Sequence, residues 1–294
     1  MARLSEPAKV LIRRRVTAIF NDASRGERPI LRRADALFPP DSVAWRVNGD
    51  VVTMMIGGVS GLLLQMLHPA VLAGVWDHSN FRSDMHGRLR RTAKFIAITT
   101  YDSAENGSAA IERVKRIHTQ VTGHLPDGRP YAASDPALLA WVHVTEALSF
   151  LNAWVRYGQP DMPPAEQDAY LDEMARVAEA LGADPVPRTR AEAEALIEAM
   201  RPQLLADART QEVARLVLNQ RLGPAAIDAA SQAIMQAGFD LMPDWAQRMH
   251  GTGAAPALPA PMARAGAMAA ARFLRWAFEG SPNRRVHPAD VTTF

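Results

Sequence analysis

Apolar positions recur at helical three- and four-residue spacing nearly throughout the 294-residue chain. An amphipathic helix is predicted over 7–20, followed by an irregular stretch over 25–42 that holds Pro29, Pro39 and Pro40. Pro40-Asp41-Ser42 offers a cap for a short helix through Trp45. An apolar helix over 52–67 should stop at His68–Pro69, with a shorter one over 69–76 and a polar break at Asp77-His78-Ser79-Asn80. Helical spacing resumes over 84–101, and Asn106-Gly107-Ser108 caps a further helix that runs to 122. Pro126-Asp127-Gly128 is a turn signal.

Ser134-Asp135-Pro136 is a good helix start, with Asp135 as cap and Pro136 in the first turn. The helix it opens, 136–157, is apolar on nearly all sides and should be central. Pro160, Pro163 and Pro164 end it, and helices follow over 165–182, 190–201, 203–220, 224–239 and 261–279. Gly251 to Pro261 reads as a linker, and the polar tail after Pro282 should lie on the surface. No run reads as a strand. The expected fold is all-α, one globular helical domain over 41–250, with an N-terminal helix and irregular segment over 1–40 and a linker, helix and tail over 251–294.

The stretch Met54–Trp76 has no charged residue when His68 is neutral, which raises the question of a membrane span. Gln65, His68 and Pro69 interrupt it, so a buried helix broken at His68–Pro69 is the expectation. Arg13, Arg14 and Arg15 interrupt what would be the apolar core of a secretion signal, and a cytoplasmic protein is expected. Formal net charge is only +2, and basic and acidic residues are interspersed without a basic run beside stacking aromatics, which disfavours nucleic-acid binding. With no Cys, disulfides, thiolate ligation and iron–sulfur clusters are excluded, and any metal must rely on His, carboxylates or Met.

Chemistry concentrates between Gly87 and Gly123. Arg88 and Thr92 are one turn apart on one helix face. His118 follows Ile111 and Val114 and precedes Val121 at 3-4-3 spacing, so it occupies a buried stripe. Such a His can be a neutral core residue or a single axial ligand, and no HxxxH or ExxH spacing accompanies it for zinc. Arg88, Arg90 and Arg91 can equally be a solvated face paired with Asp84. His68 can bond helix-terminal groups, and His143 on the apolar helix can be a pocket wall, a second ligand or a packed neutral ring, with Thr145 on the wall of the same cavity. Asp77-His78-Ser79 cannot form a hydrolase triad from adjacent positions, and no GxSxG occurs.

Asp41-Ser42-Val43, Trp45-Arg46, Leu63-Leu64-Gln65-Met66-Leu67-His68-Pro69, Val75-Trp76-Asp77-His78-Ser79, Gly87-Arg88 with Thr92, His118 with Gly123, Asp127-Gly128, Tyr131, Ala133, Asp135-Pro136 and Trp141-Val142-His143 with Thr145 together carry a resemblance. In order and spacing they resemble the oxygenase family typified by the mycophenolic-acid-pathway oxygenase and the catalytic domain of rubber oxygenase. The resemblance implies helices around a haem b, with His118 as proximal iron ligand and Arg88 and Thr92 supporting the cofactor. It further implies oxygenation of an apolar, alkene- or isoprenoid-like substrate by dioxygen. His143 and Thr145 would then lie against the cofactor, and His68 and Arg91 on its distal side. Rubber oxygenase has a distal Lys where Arg91 stands, and Arg offers no lone pair to a metal. No Glu lies between Asp50 and Arg88 to act as a base, although Asp77 and Asp84 are available. A non-catalytic haem protein and a metal-free helical binding protein are the alternative readings.

Overall fold

The computed structural model describes residues 6–21, 26–220, 225–251, 259–281 and 285–288. They form thirteen α-helices and four very short strands. At the centre are α3 (Val51–Gln65) and α7 (Pro136–Tyr157), which cross at close range. A Cβ on Gly57 would stand 2.8 Å from the Phe150 Cα, and one on Gly61 would stand 3.3 Å from the Glu146 Cα. These glycines let two backbones meet where side chains would hold them apart.

The opposite face of α3 meets α11 (Ala225–Leu241), and α13 (Ala260–Phe278) lays Ala263, Ala267 and Ala271 along that pair. Asp50 caps α3 by accepting from the Thr53 amide and also pairs with Arg275 of α13 at 2.5 Å, fixing one end of the seam. On the far side of α7 stand α8 (Pro164–Leu181) and α9 (Arg190–Met200). Phe38 and Trp45 share one core cluster with Tyr170 and Ile197, so no gap in packing follows Pro160.

The expected break at His68–Pro69 is a bend of 105° between α3 and α4 (Pro69–His78). Of the described helices, α7 alone is long and apolar enough to cross a membrane, and most of it is buried against its neighbours. Next come α5 (Met85–Tyr101) and α6 (Ala104–His118), packed as a helical hairpin. Ser103, not the Asn106-Gly107-Ser108 run, caps α6, accepting from the Asn106 amide. The early start places Gly107 inside the helix, against Leu37.

The strands correct the expectation of none. β2 (Thr122–His124) and β3 (Pro130–Ala132) form a hairpin whose tip is the Asp127-Gly128 turn, with Gly128 at φ +86°. β1 (Arg32–Arg33) pairs in parallel with β4 (Val286–His287), tying the exposed tail to the irregular segment. Two or three residues are too few to show a strand period. The short α2 (Val43–Val47), capped by Ser42, lies where the sequence placed it. The 203–220 helix is α10 (Ala208–Leu218) alone, and α12 (Asp244–His250) is a seven-residue helix that the sequence reading lacked. The first helix is α1 (Glu6–Phe20). Most of the 251–261 linker lies outside the described residues.

Candidate active site

A cavity of about 340 Å³ lies between α3, α5 and α7 and extends to α1 and α13. That volume is within the range of small-molecule sites. Its walls are largely apolar: Met54, Met55 and Leu62 from α3, Leu89 from α5, Phe150 from α7 and Met235 from α11. Val16 and Phe20 of α1, with Phe278 of α13, close the far end. The polar lining includes Gln65, His86, Arg88, Thr92, Tyr101 and Glu146.

Local structure aims Arg88 inward. Asp84 caps α5 by accepting from the Gly87 amide at 2.8 Å, and that bond is the main reason its carboxyl stays below its ordinary range. The three arginines that follow then separate by helix face. Arg90 pairs with Glu27 and Arg91 with Asp84, at 3.6 and 3.4 Å. Arg88 has no carboxylate among the described residues; its one polar contact is the Ser79 hydroxyl at 3.5 Å. Burial lowers its pKa to about 10, with Arg91 adding to the effect, so it remains a cation at neutral pH. Thr92 lines the same cavity from an exposed position, and its hydroxyl donates to the Arg88 carbonyl at 3.4 Å.

Glu146 was not singled out by its sequence. It is the only acidic residue of α7, three positions after His143 and four before Phe150. The close contact at Gly61 presses its backbone against α3, and its side chain faces the cavity. It makes no hydrogen bond or ion pair among the described residues, and burial alone raises its pKa to about 7. Its partial exposure is thus to an internal cavity, not to bulk water. A lone carboxylate in an apolar helix was the available signal. His86 was also missed; it is the one imidazole that lines the cavity, kept neutral first by burial and then by Arg90.

The remaining expected residues are dispersed. His118 ends α6, half-buried, with its Nδ1 unpartnered and its pKa lowered by burial. His143 lies deep in α7 with Nε2 unpartnered, and burial lowers its pKa to about 4. Neither is part of the cavity lining. Thr145 turns the other way: its hydroxyl donates back to the Trp141 carbonyl at 2.7 Å, and its carbonyl faces Gly61 across the seam. His68 caps α4, its Nδ1 accepting from the Ala70 amide at 3.3 Å, and it packs beside Trp141. Arg91 is exposed, outside the cavity, with Asp84 and Asn80 as partners. Asp77 accepts from the Tyr131 hydroxyl, His78 contacts the Thr122 carbonyl and Ser79 donates to Val75, so these three neighbours form no triad.

No curated protein and no solved structure matches the chain. The family described as "ER-bound oxygenase mpaB/B'/Rubber oxygenase, catalytic domain" matches residues 45–276. That span runs from Trp45 to Trp276 and contains α3, α5 and α7 with every polar cavity residue just described. The chain belongs to the mpaB/rubber oxygenase catalytic-domain family.

Proposed function

We propose that the protein is a haem b-dependent oxygenase acting with dioxygen on a small apolar substrate held in this cavity. Arg88 is the observation that carries the reading. An unpaired buried charge costs several kcal/mol, of order 3–5 when its partner is missing. A resident that brings its own carboxylate removes that cost, and the planar guanidinium suits a haem propionate. Thr92 adds a hydroxyl one turn away. Met54, Met55, Leu62 and Phe150 give apolar walls for a flat ring and for the substrate beside it.

For the iron, His118 is the ligand that the family resemblance implies, although it stands at the end of α6 outside the lining of this cavity. Its ring is held neutral and its Nδ1 is buried without a partner, the state in which an imidazole has a lone pair to offer. No group of three or more His, Cys, Asp or Glu able to hold a metal ion occurs among the described residues, whereas haem asks the chain for one axial side chain. Bound haem would supply the dioxygen chemistry. The chain would position the cofactor through Arg88 and Thr92, exclude water with its apolar walls and set the substrate's orientation. A second assignment has its own support: His86 is the cavity's one lining imidazole.

An absorption spectrum of protein expressed with added haem precursor tests the reading. The expected result is a Soret band that is lost or shifted in His118→Ala and kept in His86→Ala. The reverse pattern moves the ligand to His86. Colourless protein, with no iron by elemental analysis, overturns the haem reading.

A further inference from the structure

Glu146 is a titratable group of the cavity with no part in holding the cofactor. It sits at mid-helix, where its Cα packs against Gly61 of α3 and its side chain lines the cavity. Its surroundings supply no ion-pair partner. From α5 come Arg88, which faces the same cavity, and His86, which is neutral; Arg90 and Lys94 are occupied by Glu27. Tyr101 closes the end of α5 with Arg32 stacked on its ring, 4.4 Å from its centroid. From α8, Tyr170 donates its hydroxyl to Asn48 and is itself pushed well above its ordinary pKa, so it too is neutral. On α7, His143 is neutral. The walls contributed by α1, α3, α11 and α13 carry no ionisable side chain among the described lining residues.

A carboxyl in such a place has two physical options. Ionised, it would require a cation beside it, and no ion pair to it forms among the described residues, Arg88 included. Neutral, it carries one O–H donor and needs an acceptor. No hydrogen bond to this carboxyl forms among the described residues, so an oxygen on a ligand in the cavity would supply the acceptor. The pKa of about 7 agrees with the neutral form at and below neutral pH.

We propose that Glu146 is the specificity-determining residue of this cavity: as a neutral carboxylic acid it donates its O–H hydrogen bond to a carbonyl, hydroxyl or ether oxygen on an otherwise apolar substrate. The inference rests on the cavity being the substrate site, as argued above, and adds the substrate's class: a mostly hydrocarbon molecule with an uncharged oxygen. Purely hydrocarbon ligands would leave the donor unpaired, and cationic ligands would need the ionised form.

Calorimetric titration of the purified protein with 2-octanone, and separately with octylamine, between pH 5.5 and 8.5 tests this without turnover. Ketone affinity is expected to hold up to pH 7 and to fall about five- to tenfold by pH 8.5, the equivalent of one neutral hydrogen bond. Glu146→Gln keeps a donor, so it should retain the low-pH affinity within about twofold and lose the pH dependence. Glu146→Leu should show the five- to tenfold loss at every pH, with thermal melting confirming that both variants fold. Flat ketone binding across pH, equal behaviour of the Gln and Leu variants, octylamine binding that strengthens as pH rises, or no ketone binding at all would each overturn the inference. The haem reading stands or falls separately on the pigment spectrum.

Discussion

The two faces of α7 differ in how they treat polar atoms. Toward α3, Thr145 donates to its own helix at 2.7 Å, Ser149 donates to Ser60 at 3.4 Å, and glycines bring the backbones together. Toward the cavity, Glu146 makes no hydrogen bond or ion pair among the described residues. The first face is arranged for packing, with the Thr145 and Ser149 hydroxyls bonded. The second keeps a carboxyl unsatisfied at a stability cost, which is the usual mark of a site prepared for a ligand. A like division runs through α5, where Arg90 and Arg91 pair with Glu27 and Asp84 while Arg88 lines the cavity with no carboxylate among the described residues.

Breaking the packed face should have the largest effect. Gly57→Val places branched carbons where even a Cβ meets the Phe150 Cα at 2.8 Å, and overpacking of this kind costs about 3 kcal/mol or more. Urea denaturation should show a much lowered midpoint or no folded protein.

Relieving the cavity face should have the opposite sign. The Glu146 carboxyl has its folded pKa raised from 4.5 to about 7. Below pH 4.5 it is neutral whether folded or unfolded and costs nothing. As pH rises from 4.5 to 7 the unfolded chain ionises first, and stability falls by about 3 kcal/mol, a deficit that persists above pH 7. Glu146→Gln should therefore melt higher than the parent at pH 8 and match it near pH 4.

His143 gives the acid counterpart. Its folded pKa of about 4 lies below the ordinary 6.5, so stability is unaffected above 6.5 and is lost as pH falls through that window. His143→Asn should flatten the acid limb of a pH–stability curve between pH 6.5 and 4. The smallest effect belongs to Arg91→Ala. Its exposed pair with Asp84 contributes at most about 1 kcal/mol, so both stability and pigment binding should stay close to the parent's.

Sequence made the helical content legible because ten or more residues per helix display the period and because Asp135 and Pro136 mark a start by their chemistry. It did not show β1 to β4, where two or three residues offer no period, nor α12, which is too short to declare a face. Arg88 with Thr92 was readable from i, i+4 spacing, which fixes a common face on any helix. Glu146 was hidden because an isolated acid in an apolar helix reads equally well as a surface position until the neighbouring helices are placed. Thr145 shows the converse: it has the chemistry for a site, but its hydroxyl bonds back to the Trp141 carbonyl, which spacing alone does not reveal.

The central claim is that Arg88 keeps its charge unpaired so that a carboxylate-bearing cofactor can pair with it. Haem titration of the apoprotein, followed by absorbance, measures this directly when the parent is compared with Arg88→Met. Loss of a charged hydrogen-bonded contact of about 1.5–3 kcal/mol predicts haem binding weakened roughly 10- to 100-fold, in a variant at least as stable as the parent. Equal haem affinity in the two proteins would contradict it.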